Sequence, residues 1–196
     1  MKKLGISAGV LTAIIVGVVV ALSVGHKNDM EAFALVAGER PSWNFEGTHE
    51  ASEQLTLQVE NEIDRLKGLL GTGEFPDYDI YVGIAGQYEL LGEGKKSYEY
   101  LQKAIVENEA RSLAYSNMGT LLGKLGAKES AKIAYEMALD RDDTVTNRIN
   151  YIQHLEQYYT DDLDLVESAH TFALEKFPNS EVLQQRYESF KKLHDR

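Results

Sequence analysis

From His49 to Leu70 the apolar residues Leu55, Val59, Ile63, Leu66 and Leu70 recur three or four positions apart, with acidic and polar residues between them. That spacing predicts an amphipathic helix with one buried face, capped by Thr48. The pattern that follows repeats itself. Residues 78–111 slide onto 112–145 without a gap, placing Tyr81 on Tyr115, Ile84 on Met118, Ala85 on Gly119, Tyr88 on Leu122, Gly92 on Gly126, Leu101 on Tyr135 and Ala104 on Ala138. Each 34-residue unit predicts a helix, a turn at its glycine and a second helix, and the order of large and small residues suits two antiparallel helices packing on each other and on the next pair. Ala131 and Ala138, on either side of Tyr135, are small because a neighbouring helix fills their space.

A third unit, about 146–179, is looser. Ile149, Ile152 and Leu155 mark its first helix, YTDDLD lengthens its turn by one residue, and Ala169, Ala173 and Pro178 mark its second. From Ser180 onward, Leu183, Tyr187, Phe190 and Leu193 lie on one face of a predicted helix with Lys191, Lys192 and Arg196 on the other. A helix array needs such an element at its open end to cover the last apolar face, and the helix at 49–70 does the same at the other end.

The N-terminus has neither period. No charge occurs from Leu4 to Gly25, and a helix over that run measures roughly 33 Å against a hydrocarbon core of about 30 Å. The run predicts an N-terminal transmembrane signal anchor over residues 1–25. A cleaved signal peptide is the rival, with Lys2 and Lys3 as its basic region and Ala21 and Ser23 at its cleavage site, but its apolar core would be shorter. The two lysines place the N-terminus in the cytoplasm and the remainder of the chain outside the cytoplasmic membrane. Gly5, Gly9, Ala13, Gly17 and Ala21 recur every four residues, a stripe on which a second membrane helix packs closely, so a homodimer through this helix is the expectation. Residues 26–48, broken by Gly38, Pro41 and Gly47, predict a tether, with Trp43 and Phe45 docking against the first helix.

The second unit carries Tyr115, Met118, Gly119, Leu122, Ala131, Tyr135 and Ala138, and the first carries Tyr81, Ile84, Ala85, Tyr88, Ser97, Leu101 and Ala104. In these residues the chain resembles the tetratricopeptide repeat (TPR) family, in a membrane-anchored, bacterial-type form. It departs from the family at Ser97, where an alanine is usual, and at Glu109 and Asp143, where a closing proline would stand. The resemblance implies an all-α fold over residues 49–194. Antiparallel helix pairs would wind into a right-handed superhelix of about three repeats, at about 78–111, 112–145 and 146–179, with capping helices at 49–70 and 180–194. It also implies a concave groove lined by the first helix of each unit, where Asn117, Thr120, Lys124, Asn150, His154 and Tyr158 would meet a protein or peptide partner. Relatives that clamp a chaperone's carboxylate tail use lysines, an arginine and asparagines in this groove. Only Asn117 falls at a matching position, with Val82, Gly86, Asn147 and Tyr151 at the others, which argues against that ligand class. Gly83 and Gly86 each weaken the first helix by about 1 kcal/mol relative to alanine, and close helix packing is the expected compensation.

Charge and chemistry narrow the function. A formal charge of −11 opposes nucleic acid or an anionic membrane surface as the main partner, and the absence of cysteine removes thiolate chemistry. The histidines His26, His49, His154, His170 and His194 show no metal-ligand pairing, and no nucleophile or phosphate-binding motif is present, so the expectation is a non-enzyme without cofactor or metal. The acidic runs DRDD at 140–143 and DDLD at 161–164 lack the spacing of a calcium loop and predict helix capping. Two functions follow. One is a membrane-tethered scaffold binding a protein or peptide on the extracytoplasmic side, as relatives do in envelope assembly, secretion or pilus machinery. The other is a self-associating structural subunit whose groove is filled by its own tether or by another copy.

Overall fold

In a computed structural model the described residues are 32–48 and 52–195. The predicted anchor, its stripe at Gly5, Gly9, Ala13, Gly17 and Ala21, and the start of the tether lie outside them. Among the described residues the chain forms eight helices and no strand: α1 Glu53–Leu69, α2 Asp77–Leu90, α3 Gly94–Glu107, α4 Ser112–Lys124, α5 Lys128–Arg141, α6 Val145–Tyr158, α7 Leu163–Lys176 and α8 Glu181–His194. None of these helices is long and apolar enough to cross a membrane. Helices α2 with α3, α4 with α5, and α6 with α7 form three pairs, flanked by α1 and α8.

The glycine turns explain how two of the pairs fold back. Gly92 and Gly126 adopt φ of 73° and 81°, in the left-handed region that an L side chain resists. That conformation brings the next amide back onto the finished helix, so that Glu93 N–H donates to Tyr88 O and Ala127 N–H to Leu122 O, both at 2.9 Å. The third pair has no such glycine. Its longer turn is closed by a polar cap instead, Asp162 accepting from the Leu165 N–H on α7, while Thr144, in the preceding α5–α6 turn, accepts from the Asn147 N–H and caps α6. The first acidic run serves a neighbouring turn, where Asp143 takes a two-pronged ion pair from Arg148, both contacts at 2.7 Å. At the start of α1, Ser52 rather than Thr48 accepts from the Leu55 N–H and caps the helix, which begins at Glu53, just before Leu55 opens its apolar pattern.

The small residues lie at contacts between helices. Ala104, Ala131, Ala134 and Ala138 are wholly buried with Tyr115, Met118 and Leu122 in the core shared by α2 to α5. A side chain at Gly119 would sit 2.9 Å from three ring atoms of Tyr135, so this glycine makes the room that the tyrosine fills. A second core joins α6, α7 and α8 around Ile152, Leu155, Val166 and Leu183. A third lies between α1 and α2 around Val59, Ile63 and Ile84. Gly83 and Gly86 do not follow this rule. A side chain at Gly83 would reach Leu66 of α1 at 3.4 Å, an ordinary van der Waals contact, whereas one at Gly86 would meet nothing within 4 Å, so close helix packing demands a glycine at neither position.

The largest departure from expectation is the stretch before α1. Described residues of the expected tether are docked as a strap on the second helices of the first two pairs, and Phe33 is 3% exposed in the main core. Trp43 and Phe45 do dock, but not on α1. Trp43 meets Tyr98 of α3 edge-on at 5.3 Å between ring centroids, and the Phe45 N–H donates to Gly92 O at 3.3 Å. The reason is that α1 already covers its apolar face with α2, while the α2–α3 turn exposes bare backbone. Side chains at Gly47, Gly92 or Gly94 would collide with main-chain atoms of the opposing segment, so these three glycines let two backbones touch.

Candidate functional site

Five of the six groove residues expected from the sequence line one open cavity of about 430 Å³ between α4 and α6: Thr120, Lys124, Asn150, His154 and Tyr158. Asn117 is half-buried on α4 but does not line it. Gly123, Tyr135, Gln153 and Gln157 complete the wall and were missed by the sequence reading. The two glutamines were within reach of it, because 150, 153, 154 and 157 are neighbours on one face of a helix.

Much of the polarity is engaged within the chain. Asn150 Nδ2 donates to Ser116 Oγ at 3.1 Å, and the Tyr158 hydroxyl donates to Gly123 O at 2.8 Å. Thr120 Oγ1 and the Tyr135 hydroxyl lie 3.0 Å apart. His154 is 4% exposed, with its Nε2 2.9 Å from Lys128 O and its ring among those of Tyr135, Tyr158 and Tyr159. Burial holds its pKa below the usual histidine value, against the opposing pull of the Lys128 carbonyl, and so keeps the ring neutral. The His154 and Tyr158 rings lie against Gly123 at ordinary van der Waals distance, 3.5 and 3.6 Å from where a side chain there would begin.

What remains for a ligand is specific. Gln153 and Gln157 are exposed on the cavity wall and take no hydrogen bond from the described residues, so each offers an amide donor and acceptor. Lys124, the one cation among the described residues of the wall, pairs with Glu89 of α2, so the cavity carries little net charge. Two other positions that charged-tail binders would use are occupied by structural contacts. Asn147 Nδ2 donates to Asp142 O at 2.7 Å, and the Tyr151 hydroxyl donates to Glu136 at 3.1 Å. Burial and the Glu136 carboxylate push the Tyr151 phenol well above its ordinary pKa, so it stays protonated. Among the described residues no cluster of His, Asp and Glu has the arrangement of a metal site.

A second group of polar side chains meets where α6, α7 and α8 converge. Glu156 accepts from His170 Nε2 at 2.9 Å and pairs through its other oxygen with Arg186. Burial works against the charge of Glu156, yet the hydrogen bond from His170 and the guanidinium of Arg186 outweigh it and hold the carboxyl below its ordinary pKa. In the preceding pair, the residue in the register of Glu156 is the buried Leu122.

Solved structures with this arrangement of helices exist. A thermophilic TPR protein from Thermus thermophilus superposes with a TM-score of 0.57 at 20% identity, over 70% of this chain and 76% of that one. The fold is TPR-like. A tetratricopeptide repeat protein from Parabacteroides merdae gives a TM-score of 0.54 at 16% identity, over 73% of this chain and 55% of that one. No family model matches the sequence, and no curated protein matches it. In this TPR-like frame α2, α4 and α6 are the first helices of their pairs, and the cavity lies between two of them.

Proposed function

We propose that this chain is a non-enzymatic scaffold, held at the cytoplasmic membrane by residues 1–25 with its repeat domain extracytoplasmic, and that it binds a protein segment between α4 and α6. The observation that carries the reading is the α4–α6 cavity, where Gln153 and Gln157 present free amides beside a neutral, aromatic-backed wall. Such a surface suits the backbone and polar side chains of an extended or helical segment better than an ionic tail. The TPR-like architecture supports a protein partner. The charge-free run from Leu4 to Gly25 behind Lys2 and Lys3 supports the anchor and its orientation.

The test is crosslinking from a photoreactive residue at position 157 in the native membrane, followed by affinity measurement with the partner identified. Gln153→Ala with Gln157→Ala should weaken binding about tenfold or more, since each lost bond leaves a partner group unpaired at ~1 kcal/mol or above. Raising salt to physiological strength should matter less than that. Unchanged affinity in a folded double variant would place the partner elsewhere. For the anchor, protease added to spheroplasts should digest the repeat domain, and protection until lysis would reverse the orientation. The alternative reading is a self-associating subunit whose groove is filled by its own tether or by another copy; no residue of the described strap lines this cavity, which counts against the tether, and a crosslink from position 157 to a second copy would favour the other occupant. Self-association through the stripe at Gly5, Gly9, Ala13, Gly17 and Ala21 stays part of the proposal, and Gly9→Ile with Gly17→Ile should abolish a membrane two-hybrid signal.

A further inference from the structure

The strap sits on α3 and α5 as a bound peptide would. Gln102 of α3 contacts Phe33 on both sides of its main chain, its Oε1 accepting from the Phe33 N–H at 2.7 Å and its Nε2 donating to the Phe33 carbonyl at 2.6 Å. The Tyr98 hydroxyl donates to the same carbonyl at 2.6 Å, and the Phe33 ring is buried beneath. Three residues on, the Val36 N–H donates to Ser130 Oγ at 2.8 Å. Three further on, the Glu39 carboxylate accepts from the Glu129 N–H at 2.8 Å, from the Ser130 N–H at 2.9 Å and from the Ser130 hydroxyl. Helix α5 has no cap of its own, since its N-cap position is Ala127, and the strap supplies a carboxylate to the exposed amides and the positive end of the helix.

These contacts require little of the occupant's sequence. Gln102, Tyr98 and Ser130 address the main chain, and the occupant needs only an aromatic that fills the core pocket, an acid six residues later, and a glycine just before the acid, where Gly38 at φ 95° turns the chain so that the Glu39 N–H donates back to Val36 O at 3.1 Å. Main-chain bonds supply affinity and a few pockets supply specificity in this mode of recognition. The site also differs from its counterparts in the other pairs, where Gln102 aligns with Glu136 and Gly94 with Lys128, so the docking surface is particular to α3 and α5.

We infer that the α3–α5 surface is a second peptide-binding site, separate from the α4–α6 cavity, which the strap occupies in cis and which takes a non-helical segment of another protein bearing Phe and, six residues on after a glycine turn, Glu. The strap is joined to the site by its own chain, so its effective concentration is on the order of millimolar, and a partner segment enters only where the strap is weakened or withdrawn. The inference does not depend on the function proposed for the cavity.

The probe is a fluorescein-labelled peptide of residues 31–46, titrated by anisotropy into the full-length chain in detergent. The Phe33→Ala, Glu39→Gln chain should bind it at least tenfold more tightly than wild type, because the competing strap is weakened. Adding Gln102→Ala to that chain should reverse the gain, whereas Gln153→Ala with Gln157→Ala should leave it intact. Far-UV circular dichroism checks the fold, and the single change Glu39→Gln, which keeps the Phe33 anchor, should give a smaller gain of the same sign. Equal affinity for wild-type and strap-weakened chains, or no binding to either, overturns the inference. So does full binding of a peptide lacking the acid. A wild-type dimer seen by light scattering and lost with Phe33→Ala would make a second copy the occupant, and would overturn the assignment to another protein.

Discussion

Gly86 and Gly119 lie inside first helices of adjacent pairs, and alanine at each should move stability in opposite directions. At Gly86 an added methyl meets nothing within 4 Å and the backbone is ordinary helix, so Gly86→Ala should gain the helix-propensity difference, about 0.4 to 1 kcal/mol. For a domain of this size that is a rise in Tm of roughly 1 to 4 °C. At Gly119 the methyl would come within 2.9 Å of the Tyr135 ring. That ring cannot easily retreat, since its hydroxyl is tied to Thr120 and its other side faces His154. Overpacking of this kind costs about 1 to 3 kcal/mol, and the propensity gain offsets only part of it, leaving a net loss of about 1 to 2 kcal/mol. Urea unfolding followed by circular dichroism at 222 nm, with the same slope for all three chains, would measure both shifts. A destabilised Gly86→Ala would mean that the glycine contacts something absent from the described structure, and a neutral Gly119→Ala would mean that Tyr135 is not held where the packing puts it.

Ala138→Leu should lose about 1 to 3 kcal/mol because its methyl is wholly buried, while Lys132→Ala, which removes one exposed pair with Glu136, should stay within about 0.5; differential scanning calorimetry distinguishes them. The folded pKa values of His154, Glu156 and Asp143 all lie below their ordinary values, so the unfolded chain binds more protons on acidification and stability must fall with pH. The loss should begin below the free histidine value of 6.5 and steepen below 4.5, and in urea titrations His154→Gln should flatten the first part and Glu156→Gln the second. Gly92→Ala should lower the melting temperature more than Gly126→Ala, because both strain a left-handed turn but only Gly92 lies against the strap backbone.

The helix pairs were legible in the sequence because their packing is periodic. Ala104 and Ala138 occupy the same place in successive units, and a place defined against a neighbouring helix leaves a mark every 34 residues. The strap leaves no such mark. It is irregular, with one turn at Gly38, and is held largely through main-chain bonds to Gln102, Ser130, Leu125 and Gly92, which impose no periodic pattern on its residues beyond Phe33, Gly38 and Glu39. A trace existed in Gly94, which stands where the next unit has Lys128, but it has meaning only once the opposing backbone is known. The cavity residues were found from the face of the first helices. Their availability was not, because sequence cannot show that Asn150 faces Ser116 or that Tyr158 reaches Gly123 O while Gln153 and Gln157 stay free.

The Glu156, His170 and Arg186 contacts bear on how this array can be lengthened or shortened. Repeat proteins are often treated as interchangeable blocks, with a terminal helix that can be moved to the end of any stack. Here the last pair and α8 are keyed to each other by a carboxylate with two cationic or donor partners, one on α7 and one on α8. Inserting a further pair between α7 and α8 would separate Arg186 from Glu156 and leave the half-buried carboxylate with His170 alone of these two partners. Any engineered duplication or deletion of whole units in this chain should therefore carry α6, α7 and α8 as one block.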